Sequence, residues 1–445
     1  MGRLRFASTF VIVGLAISLS GCGPTAEGLA TPALPTAQPT GVLLPTTDPG
    51  PSTSYDPGSS GGATSIPLST SSPLSGALWQ PLTEFPASGA FEVTSVTAVG
   101  DGFTAMGFQA MPGEGFFGRR QGVIWHSPDG RSWQAVVDPA FQFVTLEEIL
   151  RVGTTTFVLG TLETCGLSFD DECVEPPEAG WGLWRSVDAS AWERLSLPAS
   201  IQTGSVDGAV EVNGALVAFG LSGDDGRPVV WTSADGVTWG QTADLAGMDP
   251  VTSMAAGPSG LVAFGNPFSS DVGDLELLAA TSTDGVHFVR VAAPALAATT
   301  IQSIAAGRSG LVAVGDGEDL ELNFTGVALH SADGSSWTQA NVVDGSFAES
   351  ALTDVHSFPT GYVAVGIRPV PDDFGIATGA SWFSADGLSY RSLAPVADRF
   401  SQLTASAAGT TGIVCFTVTE EEPDEETVIS TIAGWFAPIE ALPTQ

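Results

Sequence analysis

Lysine is absent from the chain: all 14 basic residues are arginine, against 49 aspartates and glutamates. A formal charge of −35 at pH 7 repels polyphosphate and anionic lipid surfaces, so no nucleic-acid partner is expected. Histidine and cysteine are scarce, at 4 each, which leaves little from which to build a structural zinc site of the usual ligand spacing. Long hydrophobic runs are also missing; the apolar residues 6–19 are too few to span a bilayer comfortably. What the chain has in quantity is glycine (54), proline (30) and tryptophan (11), within 43% hydrophobic residues. That mixture suits a turn-rich β protein with a large core and excludes wholesale disorder. At 445 residues the chain exceeds a single core of about 250–300 residues, so it must divide or repeat.

Arg3 and Arg5 ahead of the apolar residues 6–19 read as the start of an export signal. The stretch ends in Leu19-Ser20-Gly21-Cys22, which resembles the lipobox of bacterial lipoproteins. The resemblance implies that residues 1–21 are a signal peptide and that Cys22 is acylated. Several acyl chains anchor firmly where one is marginal. The expected location is the extracytoplasmic face of the cell membrane. Residues 22–77 carry ten prolines among Thr, Ser and Gly and show no apolar period, as expected of an extended tether. Gly58-Ser59-Ser60-Gly61-Gly62 matches the G-x-S-x-G pattern but lacks the strand and helix of a nucleophile elbow.

Residues 78–445 repeat. Apolar runs ending in glycine recur at Gly107, Gly160, Gly220, Gly265, Gly315 and Gly366, with a degenerate seventh copy at 413–417. Most follow a weaker run across a Gly- or Asn-containing turn, which predicts a β-hairpin. After a variable gap comes a second signature, S-x-D-(G/A)-x-x-aromatic, with its aspartate at Asp129, Asp188, Asp235, Asp284, Asp333 and Asp386. Asp and Gly favour the positive φ of a tight turn, and the carboxylate can accept from the turn's own amides. The signature resembles the Asp box of sialidase-like β-propellers, one residue shorter than the usual S-x-D-x-G-x-T-W. These aspartates are therefore expected to be structural. The pattern predicts an all-β fold, a seven-bladed propeller, with six blades plus an appendage as the alternative. Either the Trp79 segment or residues 435–439 would close the ring. His126 and His330 share one repeat slot and read as strand residues rather than metal ligands.

The sialidase resemblance does not extend to chemistry: the Arg-Ile-Pro motif, the arginine triad and a leftover Tyr beside Glu are not found. No catalytic residue or metal ligand is assigned. The connections between second and third strands, 108–121, 161–182, 221–228, 266–276, 316–325, 367–379 and 418–426, should emerge on the face opposite the turns. They hold 24 of the 49 acidic residues but only Arg119, Arg120, Arg227 and Arg368 as cations. Interleaved are Phe116, Phe117, Phe169, Phe268, Phe324 and Phe374. Together with Asp170, Asp171, Glu172, Glu420, Glu421 and Glu422 they make a candidate binding face for a cationic partner. The plainer reading is a solubilising surface with phenylalanines tucked onto blade edges. Cys165 and Cys173, in the longest connection, are expected to form a disulfide in an oxidising compartment. Cys415, in an apolar slot, is expected to be a buried thiol. No cofactor is expected beyond weak Ca2+ binding by acidic runs such as 420–426.

The function expected from these features is a lipid-anchored, surface-displayed propeller that binds a protein or envelope polymer without catalysis. The alternatives are a sialidase-like glycan-processing hydrolase, using acids such as Asp224, Asp225 or Asp316, and an assembly factor for an envelope complex.

Overall fold

The computed structural model describes residues 65–67, 78–87, 90–111, 118–163, 179–187, 191–242, 245–266, 276–294, 296, 299–318, 324–343, 345–369, 377–393, 395–396, 402–424 and 427–442. Among them the strands build a seven-bladed β-propeller, each blade a sheet of four antiparallel strands, to which blade 6 adds a fifth, Asn341–Val342, parallel to its outer strand Ser389–Ser392. The first strands are Phe91–Val99, Val144–Val152, Ser205–Val212, Val251–Gly257, Thr299–Gly307, Ala351–Phe358 and Gln402–Ala408. Each touches the first strands of both neighbouring blades, and the seventh returns to the first. These strands line a central channel, and the others step outward in sequence order.

The glycines that mark the repeat have a steric cause. Each first strand carries one extra residue at a β-bulge: Thr94, Glu147, Asp207, Thr252, Gln302, Thr353 and Thr404. Facing the bulge on the second strand stand Gly107, Gly160, Gly220, Gly265, Gly315 and Gly366. A Cβ at any of them would collide with a carbonyl oxygen of the first strand, such as that of Glu92 for Gly107, or for Gly265 with that of Pro250 just before it. Thr417 holds this slot in blade 7. Where the extra residue is threonine, its hydroxyl donates to a second-strand carbonyl at 3.2–3.4 Å. The bulges thus bend each strand without leaving that side chain unsatisfied.

Seven hydrophobic clusters hold the ring, one at each seam between neighbouring blades. Trp125, Trp184, Trp231 and Trp382, all from third strands, are at most 1% exposed and fill four of those seams. Each indole removes about 150–250 Å² from water, about 4–6 kcal/mol at about 25 cal/mol per Å² before entropy is counted. The tryptophan richness is a packing device.

Blade 7 takes three strands, Gln402–Ala408, Gly412–Asp424 and Thr427–Pro438, from the chain's end. Its fourth is Gln80–Pro81, with Gln80 opposite Phe436 and Pro81 opposite Trp435. The segment at Trp79 therefore closes the ring, and residues 435–438 belong to the third strand instead. Trp79 is buried and its indole N–H donates to Ser381 of blade 6 at 3.2 Å. Phe85, fully buried, packs at 5.0–5.6 Å from Phe91, Trp125, Trp133 and Phe416 across the seam of blades 7 and 1. Ser65–Pro67 pairs with Glu84–Pro86, so backbone pairing begins inside the stretch assigned to the tether. The segment expected to be a signal peptide, Cys22 and the rest of the expected tether lie outside the described residues.

Candidate functional site

The turn aspartates spend their lone pairs inside their own hairpins. Asp235 accepts the N–H groups of Val237 and Thr238, both at 2.8 Å, and Ser233 closes the turn by accepting the N–H of Gly236 at 2.8 Å. Asp129 does the same with Arg131 and Ser132, Asp284 with Val286 and His287, Asp386 with Leu388 and Ser389. Asp333 accepts the N–H of Ser335 at 2.8 Å. The turn glycines 130, 236, 285, 334 and 387 have φ of 73–86°, a region Gly enters without strain. The N–H donors of Thr238 and Val237 hold the Asp235 carboxyl below its ordinary range. Asp188 lies outside the described residues. His126 meets Thr104 Oγ1 at 3.0 Å and His330 meets the Ser309 carbonyl at 2.8 Å, consistent with strand roles.

On the opposite face, Phe116, Phe117, Cys165, Phe169, Asp170, Asp171, Glu172, Cys173, Phe268 and Phe374 lie outside the described residues. Phe324 opens the third strand of blade 5, Phe324–Ser331. Glu420, Glu421 and Glu422, expected in a connection, continue the second strand of blade 7, with Glu420 opposite Ser430 and Glu421 opposite Ile429. That part of the rim is a two-stranded ribbon, because alternating Val and Thr carry the ladder past the blade edge. Arg119 and Arg227 are exposed, Arg227 at 3.5 Å from Asp225. Arg120 and Arg368, expected on the rim, are half-buried in seams instead. Arg368 lies 5.6 Å from the Trp382 ring and donates to the Ser346 carbonyl at 2.8 Å. Long strands draw both guanidinium groups under their own aromatics. Cys415 is a fully buried free thiol.

Arg120 instead gathers charge in the seam between blades 1 and 2. It begins the third strand of blade 1, stacks 3.9 Å from the Phe108 centroid and donates to Thr145 Oγ1 at 3.1 Å. The carboxylates of Glu163, Glu92 and Glu147 act on it together. Glu147 is the extra residue of the blade 2 bulge, half-buried. Burial first, then the negative charge of Glu92, pushes its carboxyl up to about 8; Arg120 opposes but does not cancel them. Its neighbour Glu148 is pushed to about 7 by burial, reinforced by Asp354 of blade 6. Asp207, the extra residue of blade 3, is also raised by burial.

Deeper in the channel Asp354 joins three blades. Ser303 of blade 5 donates to its Oδ1 at 2.6 Å, Ser406 of blade 7 donates to its Oδ2, and His356 Nε2 lies 3.3 Å from that oxygen. Burial pushes Asp354 up, but the charge and donor of His356 and the two hydroxyls outweigh it and hold the carboxyl low. His356 Nε2 also lies 2.9 Å from Ser406 Oγ. Serine, histidine and aspartate meet, yet Asp354 faces the same imidazole nitrogen as the serine. A nucleophile relay needs the carboxylate on the other nitrogen, where it orients the ring. The cluster ties blades together.

Sequence reasoning missed Glu92, Glu147, Glu148, Asp207, Asp354 and His356. The signal for two of them lay in the repeat: the bulge slot holds Thr in four blades and Gln in one, but Glu147 and Asp207 in blades 2 and 3.

No protein-family model matches the chain, and no curated protein matches it. Solved structures with a similar architecture include a Dyadobacter fermentans protein of unknown function (13% identity, 78% of this chain and 94% of that one, TM-score 0.43). A Trypanosoma rangeli sialidase matches at 9% identity over 81% of this chain, TM-score 0.40, and this chain covers 55% of its length. An ulvan lyase matches at 11% identity over 79% of this chain and 94% of its own, TM-score 0.45. The likeness is one of fold.

Proposed function

We propose that this chain is a lipid-anchored, extracytoplasmic β-propeller that binds a cationic protein or envelope polymer at the channel mouth and the rim around it, without catalysis. The observation that supports it is the grouping of Glu92, Glu147 and Glu163 around Arg120, in a chain with 49 acidic and 14 basic residues. A site with more carboxylates than cations draws positive groups by long-range attraction, and its low-dielectric walls strengthen the final contact. The lipid anchor rests on the motif at Cys22.

The test measures association of the purified full chain with lysine-rich, neutral and acidic peptides at low and high salt. Selective capture of the lysine-rich peptide, with an association rate that falls as salt rises, supports the reading. Equal capture of all three, or a flat salt dependence, sinks it.

One observation favours a second reading. Burial and then Glu92 raise the Glu147 carboxyl to about 8, the direction of shift that a paired-carboxylate glycosidase needs in its acid. Turnover of fluorogenic glycosides that disappears in Glu147→Gln would replace the binding reading with hydrolysis.

A further inference from the structure

The outer segment of blade 6 leaves its sheet by a bulge. Leu393 donates its N–H to the Ser381 carbonyl at 2.8 Å and Val396 donates to that of Gly379 at 3.2 Å, so three residue steps on one side face two on the other. Beside the bulge, away from the channel-lining first strand, lies a cavity of about 270 Å³. Its wall includes Arg368, Thr378, Ser381, Ser392, Leu393 and Pro395. Ser392 and Pro395 are exposed, which opens it to solvent, while Ser381 is buried. The space falls just under the roughly 300 Å³ at which ligand pockets begin, so it suits one small molecule.

Arg368 supplies the only charge on that wall. Its guanidinium is held from two sides: the Trp382 ring lies 5.6 Å away, and the Ser346 carbonyl accepts from Nη2 at 2.8 Å. Ser346 also anchors the indole, its hydroxyl accepting the Trp382 N–H at 2.9 Å. The cation is thus placed before any ligand arrives, which lowers the ordering cost of binding. Yet among the described residues only Nη2 finds an acceptor, and Nε is buried with none. Acidic residues number 49 against 14 basic ones in this chain, but none of the described carboxylates pairs with this guanidinium. A buried donor without an acceptor is costly, and native folds keep one where a bound water or ion completes it.

We propose that this cavity in blade 6 binds a small hydroxylated carboxylate, about the size of a single sugar acid. The site is separate from the binding reading above and does not depend on it. The carboxylate takes the unused donors of Arg368, because the planar fork of a guanidinium matches two oxygens lying in one plane. Thr378 already donates to the Arg368 carbonyl at 3.4 Å, which leaves its oxygen to accept a hydroxyl of the ligand. Leu393 and Pro395 offer an apolar surface to the ligand's C–H groups. A neutral sugar lacks the partner for Arg368, and a bare sulfate leaves the apolar wall unused.

Arginine labelled with 15N at Nε gives at most 14 side-chain N–H signals from the full chain. The signal that disappears in Arg368→Lys reports on this cavity. Titration with galacturonate at constant ionic strength should move it saturably, with a Kd on the order of 1 mM, while galactose leaves it in place. Followed on galacturonate's own proton signals, binding should weaken by about tenfold or more in Arg368→Lys, which keeps the charge but loses the fork. Ser392→Phe fills the cavity from its exposed side and leaves the guanidinium untouched. It should keep every arginine signal and abolish the shift, and it serves as the test if Arg368→Lys does not fold. An Arg368 signal that stays fixed at about twenty times that concentration overturns the proposal, and means that water alone completes the guanidinium. A shift matched by sulfate or galactose, shared by all arginines, or surviving Ser392→Phe overturns it equally.

Discussion

Replacing Glu147 with glutamine should make the protein more stable at alkaline pH. The native carboxyl is raised to about 8 from its ordinary 4.5. Between those values the folded protein keeps a proton that the unfolded chain has already shed. Stability therefore falls as pH rises from 4.5 through 8, and is complete only below 4.5. A gap of about 3.5 units at about 1.36 kcal/mol each sets a ceiling of about 5 kcal/mol. Glu147 is half-buried and not sealed from solvent, which reduces the usable figure to about 2–3 kcal/mol. Glu148 adds a slope of the same sign that passes its midpoint near 7. His126, whose pKa burial lowers, adds the opposite slope below its ordinary 6.5. Between pH 7 and 8.5 Glu147 therefore carries most of the remaining slope. Urea unfolding at constant ionic strength and pH 5, 7 and 8.5 is the assay. The wild type should lose stability between pH 7 and 8.5, and Glu147→Gln should lose much less and overtake it at pH 8.5. Parallel profiles, or a variant weaker by one constant amount at every pH, would refute the reasoning.

Phe85→Ala should cost about 3–5 kcal/mol in urea unfolding, because it empties an aromatic site at the seam of blades 7 and 1; a loss under 1 kcal/mol would mean that the seam closes without it. Asp354→Ala should cost about 1–3 kcal/mol, since Ser303, Ser406 and His356 lose their shared acceptor, and a neutral result in the same assay would show the three-blade tie to be dispensable. Asp235→Ala should lower the melting temperature while leaving capture of lysine-rich peptide unchanged, as its oxygens are occupied within the turn; lost capture at constant melting temperature would make the turn a site. Cys22→Ser should remove the protein from the membrane fraction of expressing cells, and persistence there as a processed, detergent-partitioning species would contradict lipidation.

The fold was legible because its devices are local and repeated. The run-ending glycine is required opposite each bulge, the Ser-Asp-Gly turn closes on its own amides, and the tryptophans recur in one slot because each fills an equivalent place in the blade. The extent of the strands was not legible. Arg120, Arg368 and Glu420 read as connection residues because charge favours loops, but pairing with a neighbouring strand overrides that preference. The channel was legible only in part. Glu147 and Asp207 stand out when the seven first strands are aligned, whereas the meeting of Ser303, Asp354 and Ser406 joins residues from three repeats that no single copy displays. Nor does a sequence carry the burial that separates Glu147 from a solvated glutamate.

The two residues that complete blade 7 are made first and used last. Gln80–Pro81 can pair only after Thr427–Pro438 has emerged, so during synthesis the early segment must wait for nearly the whole domain. Through that interval Trp79 and Phe85 lack the Ile413, Cys415 and Phe416 surfaces that later cover them. A ribosome-bound or truncated chain ending before residue 427 presents two raw blade faces at once, a binding signal for a holdase and a cut site for a protease. The finished ring buries both ends of the unit in one sheet, so its completion is also its quality check.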